Sequence, residues 1–184
     1  AARAALTELV SLLDQGQDAL TLQLKLRELE TEQEAIAQAT RKLLPRTVGR
    51  EIEQLPQRLR ERLQELAERQ SAASKQADQL TQRMQRTAQR LSEKGDGRSR
   101  AAATSLAEAA SLAEREGLAQ QMRQSSRSVG SNRLSQAQQQ QSRSLDQLQR
   151  MLDQLGQREQ RMQQMLRRRL QKLAETLKQL IERQ

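Results

Sequence analysis

The residues able to do chemistry in this chain are few in kind. Among 184 residues there is no His, Cys, Phe, Tyr or Trp. Imidazole and thiolate are the usual side-chain base and nucleophile near neutral pH, and the usual ligands for soft metals. Carboxylates, guanidiniums, amides and hydroxyls remain. Glu28, Glu30, Glu32 and Glu34 form one cluster, with Glu28/Glu32 and Glu30/Glu34 each four apart on a common helical face. Helical carboxylate metal sites add a Glu-x-x-His motif, and no His is present, so these acids read as a solvated stripe. Arg58, Arg60 and Arg62 are candidate ion-pair partners for it.

Two basic stretches stand out. Arg83, Arg86, Arg90 and Lys94 make a stripe, and Arg158, Arg161, Arg167, Arg168, Arg169 and Lys172 a denser cluster. Arg grips phosphate through a two-pronged fork, so the second cluster is the candidate contact for a polyanion, either nucleic acid or an anionic lipid surface. No zinc-finger spacing, RNP motif or stacking aromatic accompanies it. Three consecutive Arg residues also point in different directions around a helix. Gly95-Asp96-Gly97 lacks the GK[ST] ending of a phosphate loop. No Ser or Lys has a base or orienting partner at a recognisable spacing. The sequence therefore implies no catalytic residue, no metal, no cofactor and no small-molecule ligand.

The elements that carry these residues are helices. Leu, Ala, Gln, Arg and Glu in long periodic runs are the composition of long helices and coiled coils. Hydrophobic residues make up 35 %, and mean hydropathy is −0.92. An ordinary globular chain has roughly 45–50 %, so narrow apolar seams are expected instead of a thick core. Net charge is +9, with the excess in the C-terminal two thirds. No run approaches the roughly 18 apolar residues of a membrane span, and no signal peptide is visible.

Residues 1–44 read as a first long helix. Leu6, Leu9, Leu13, Gly16 and Leu20 follow 3–4 spacing, and a second track takes over at Leu22, Leu26, Leu29, Gln33, Ile36, Thr40 and Leu43. The change of phase predicts a kink near Gly16 or a stutter. Pro45 is expected to end the helix, and residues 45–55 form a linker with a helical turn near 50–54. Residues 56–94 carry the cleanest heptad seam: Leu59, Leu63, Leu66, Gln70, Ala73, Ala77, Leu80, Met84, Thr87 and Leu91. A turn follows at 95–99, with Ser99 as the expected cap.

Residues 100–129 form an Ala- and Ser-rich helix interrupted by Gly117, and 130–133 a further turn. Residues 134–184 read as one long basic helix with a seam through Leu134, Ala137, Gln141, Ser144, Leu148, Met151, Leu155, Met162, Leu166, Leu170, Leu173, Leu177 and Leu180. Gln138 to Gln141 reads as neutral helix surface. The fold class is all-α: an elongated set of about four antiparallel helices in hairpins or a coiled-coil bundle, with the last helix protruding. Its partners would be its own helices or another coiled-coil chain, a second copy included.

Two stretches carry a resemblance. EQEAIAQATRKLLPRTVGREIEQLPQRLRERLQELAERQ (Glu32 to Gln70) and LAQQMRQSSRSVGSNRLSQAQQQQSRSLDQLQRML (Leu118 to Leu152) resemble the helical coiled-coil repeat region of very large, uncharacterised bacterial envelope proteins. The LLPRTVGRE junction and the NRLSQAQ segment are the distinctive parts. The resemblance implies a structural or scaffolding segment of a larger membrane-anchored protein, facing the envelope or periplasm, with no catalytic residues to transfer.

Overall fold

The computed structural model describes residues 2–93 and 97–156. The chain is all-α, and every regular element among the described residues is a helix. Helix α1 spans Ala2–Thr47, a short 3-10 turn spans Ile52–Gln54, α2 spans Gln57–Glu93, α3 spans Gly97–Arg115 and α4 spans Leu118–Gly130. A fifth helix, α5, covers residues 134–156.

Helix α1 is continuous past Gly16, and it differs from expectation at its end, where it continues through Pro45 to Thr47. A proline in the last turn removes only one helical N–H bond, and Thr47 returns its hydroxyl to the Leu43 carbonyl at 3.3 Å. Along this continuous helix the phase change at Leu20–Leu22 is a change of face. Leu22, Leu26, Leu29, Ile36 and Leu43 enter the core, while Leu20 and Leu24 stay exposed.

The seam of α2 is buried at Leu63, Leu66, Gln70, Ala73, Ala77, Leu80, Met84, Thr87 and Leu91. Leu59, in the first turn, is only partly buried against the same cluster. Helix α2 packs on α3 and α4 as well as on α1. Ala102, Ala103, Ala109, Ala110 and Ala113 of α3 are all buried. Alanine faces bring helix axes close together, which compensates in packing for the modest apolar area each residue supplies. Leu134, Ala137, Leu148, Met151 and Leu155 of α5 complete a single hydrophobic cluster.

Ser99 lies inside α3 and is buried, so it is not the residue before the helix. The preceding turn, at 95–96, lies outside the described residues. Gly117 separates α3 from α4 with φ +65°. A Cβ there would meet only Gln120, at 3.8 Å, so the strain of an alanine would come from the backbone alone. Gly117→Ala is expected to lower stability by about 1 kcal/mol, read as a shift in urea midpoint at unchanged slope.

Candidate functional site: a buried glutamine layer and two basic grooves

Polar seam residues converge in the middle of the core. Gln33 and Thr40 on α1, Gln70 on α2, Ser125 on α4 and Gln141 on α5 are all fully buried. Gln33 and Gln70 exchange amide hydrogen bonds: Gln70 Nε2 donates to Gln33 Oε1 at 2.7 Å, and Gln33 Nε2 to Gln70 Oε1 at 3.3 Å. Gln141 Nε2 donates to Gln70 Oε1 at 3.1 Å and to Thr40 Oγ1 at 3.0 Å. Ser125 Oγ reaches the same Gln70 oxygen at 3.4 Å, and Thr40 donates to the Ile36 carbonyl at 2.9 Å.

One amide oxygen thus gathers donors from α1, α4 and α5. It has two lone pairs for three donors, which accounts for the 3.1–3.4 Å lengths. Among the described residues Gln141 Oε1 has no hydrogen-bond partner. Such a layer adds little net stability, because amides give up water to enter the core. Its effect is on alignment. Sliding any of the four helices by one turn would strand amide groups in an apolar interior. Gln141 belongs both to the glutamine tract read as helix surface and to the seam track that starts at Leu134, and it is buried in this layer.

Two clasps fix the helix ends. Asn132, at φ 55°, donates from Nδ2 to the carbonyls of Thr47 at 3.0 Å and Arg50 at 2.8 Å. The α4–α5 turn thereby ties down the chain where α1 stops, adding a second donor to the Thr47 carbonyl, which also accepts the Arg50 N–H at 3.2 Å. At the Gly117 break, Gln147 Nε2 donates to the Glu116 carbonyl at 3.2 Å. Arg150 also grips both Glu116 carboxylate oxygens.

The acidic stripe does not pair with Arg58, Arg60 or Arg62. Glu32 pairs instead with Arg69, bidentately at 3.0 and 3.1 Å, and Arg62 with Glu65 on its own helix. These exposed pairs contribute at most about 1 kcal/mol each. Burial raises the Glu30 carboxyl above its ordinary value of 4.5, the Glu34 charge adds to the rise, Arg27 opposes it, and Asp153 adds a smaller push upward. The folded chain therefore holds this proton more tightly than the unfolded chain, and stability falls as pH climbs past 4.5 through the raised value. Glu30→Gln is expected to flatten that part of the stability–pH curve and to raise the melting temperature at pH 7 relative to the unsubstituted chain.

Two grooves between α1 and α2 gather cations. Lys25, Arg83, Arg86 and Arg90 line one of about 410 Å3, together with Asp18, Thr21 and Thr87. Lys42, Arg46, Arg62 and Arg69 line another of about 400 Å3. The first contains most of the basic stripe read from the sequence; Lys94 lies outside the described residues. So does the proposed polyanion cluster at Arg158, Arg161, Arg167, Arg168, Arg169 and Lys172, and so do the seam residues Met162, Leu166, Leu170, Leu173, Leu177 and Leu180. Among the described residues no group of three His, Cys, Asp or Glu is placed to hold a metal ion. No described helix is long and apolar enough to cross a membrane.

Comparison with known protein families, with characterised proteins and with solved structures returns no match.

Proposed function

We propose that the chain is a non-enzymatic structural segment, an elongated antiparallel bundle of about four long helices that serves as a spacer and helix-association surface. The observation that carries this reading is the order of the inter-helix bonds. From α1 to α2 they run Glu32–Arg69, then Asp18–Arg90, descending on one helix while ascending on the other. From α2 to the α3–α4 stretch they run Ser126 to the Ala67 carbonyl, then Gln85–Glu114. From α1 to α5 they run Asn132 to the Thr47 carbonyl, then Gln141–Thr40. Each ladder is reversed, as in helices that go up and down in turn.

The buried layer supports the same reading. Amides at seam positions are a known means of fixing register between helices. The resemblance of Glu32 to Gln70 and Leu118 to Leu152 to repeat regions of bacterial envelope proteins agrees with it, and extends the proposal to a segment of a larger envelope protein in which coiled-coil partners continue the seam.

Small-angle scattering tests the shape. A helix the length of α1, 46 residues, reaches about 69 Å at 1.5 Å per residue. The radius of gyration is expected well above the roughly 16 Å of a compact globule of this chain length. A value near that of the globule would overturn the proposal.

A further inference from the structure

The two basic grooves lie along one edge of the α1–α2 pair. On α1, the lining residues Asp18, Lys25, Ala39 and Arg46 are separated by multiples of seven, and so are Thr21 and Lys42. On α2, Arg62, Arg69, Arg83 and Arg90 are likewise multiples of seven apart, and so are Glu65 and Arg86. Residues seven apart keep to one side of a helix packed in a bundle. The grooves are therefore two stretches of a single edge. Lys25 and Lys42 stand about 25 Å apart along α1 at 1.5 Å per residue.

The same lines carry four carboxylates, Asp18, Glu28, Glu32 and Glu65. Three are taken: Asp18 by Arg90, Glu32 by Arg69 and Glu65 by Arg62. Among the described residues no carboxylate pairs with Lys25, Arg83 and Arg86 in one groove, or with Lys42 and Arg46 in the other. Unneutralised cations gathered in concavities raise the local potential for an anion. The opposite edge of α2 has the reverse sign: among the described residues Glu53, Glu61 and Glu68 line its groove against the single cation Arg60. Neither basic groove offers an apolar contact. Leu22, Leu43 and Leu66, which line them, are buried, and the exposed Leu20, Leu24 and Val48 line neither.

We infer that this edge binds a linear phosphate polymer, charged on every unit and without bases, laid lengthwise so that it reaches both grooves. α1 supplies Lys25, Lys42 and Arg46, and α2 supplies Arg83 and Arg86, so a chain in the groove is held from both walls. Arg meets phosphate with a two-pronged fork. A flat bilayer would touch only the crests of the two helices. A partner helix docks through an apolar stripe, for which this edge has no counterpart. Bases would need aromatic rings to stack on, and the chain has none. Charge repeated along a thin chain is what the edge is equipped to recognise.

The probe is long-chain inorganic polyphosphate, titrated into the full chain by calorimetry at several salt concentrations. Binding is expected, weakening steeply as salt rises. Tripolyphosphate, too short to reach from one groove to the other, should bind at least about tenfold more weakly. Arg83→Gln with Arg86→Gln, and separately Lys42→Gln with Arg46→Gln, are each expected to weaken polyphosphate binding about tenfold. Arg123→Gln with Arg127→Gln removes the same charge from α4 and should change it less than about threefold. All six positions are exposed, so circular dichroism should show helix content unchanged. A glycerol-phosphate oligomer of equal charge separates two sources of such a chain: binding of either supports the inference, and the tighter names the source. No polyphosphate binding at low salt, equal losses in the three variants, or loss confined to Arg167→Gln with Arg168→Gln would overturn it. So would tighter binding, at matched charge, of heparin, duplex DNA, phosphatidylserine vesicles or an acidic coiled-coil peptide. Such a failure with an extended scattering profile intact leaves the bundle reading standing.

Discussion

Gln70→Ala is expected to destabilise the chain by about 3 kcal/mol, although it removes a polar residue from an apolar interior. The reason lies in what stays behind. Gln33 keeps a buried amide with neither of its Gln70 bonds, Ser125 loses the partner of its hydroxyl, and Gln141 retains only Thr40. Each stranded polar group costs roughly 1–3 kcal/mol, and relaxation around the smaller side chain returns part of the sum. Replacing Gln33, Gln70 and Gln141 together by Leu is expected to cost much less. With no amide left to satisfy and only the Ser125 hydroxyl deprived of its partner, stability should exceed that of Gln70→Ala and come close to the parent's, as when buried polar clusters are exchanged for apolar residues of similar volume. Uniqueness should suffer, because leucine packs against leucine in more than one register. Urea denaturation reads the first effect. Broadened distance distributions between spin labels on different helices, or a mixture of oligomers, would read the second. A triple variant less stable than Gln70→Ala, with a single sharp register, would contradict this account of the layer.

Leu80→Asp has the larger expected effect. Leu80 is buried in the α2 seam within the common core. A carboxylate there either stays charged without a partner or takes up a proton at a cost, and the loss should exceed about 4 kcal/mol. At neutral pH most of the cooperative thermal transition should disappear. Val48→Asp provides the contrast: Val48 is 66 % exposed, beyond the end of α1, and the same change there should move stability by no more than about 0.5 kcal/mol. Comparable losses at both positions would mean that the seam is not the source of stability.

The sequence carries much of this arrangement, and particular residues show where it stops. The heptad steps of α2 point to its buried face because one strict period allows only one stripe. Gly117 marks a real break, since a left-handed residue ends a helix wherever tertiary contacts do not oppose it. Pro45 misleads, because a proline in the last turn removes only one helical N–H bond, and Asn132 holds the chain just beyond it through the Thr47 and Arg50 carbonyls. The ion pairs mislead for another reason. Choosing Arg69 over Arg58, Arg60 or Arg62 as partner of Glu32 requires the register of α1 on α2, which is set by how many residues the connection at 48–56 uses. The glutamine layer is half legible. Gln33, Gln70 and Gln141 each interrupt an apolar track, and amides at seam positions of three helices are a signal that they meet. Which oxygen receives which donor depends on three-dimensional alignment that periodicity does not contain.

The central claim is that neighbouring helices run in opposite directions at one fixed register. The chain has no cysteine, so introduced pairs can be spin-labelled without background. Labels at Arg41 with Ser142, and at Arg27 with Asp153, flank the α1–α5 contact on its exposed edges. Dipolar distance measurement should find both pairs short, near the roughly 10 Å interaxial spacing plus the label tethers. A parallel alignment with the first pair in contact would separate the second by about 37 Å of helix, and that long distance would contradict the account.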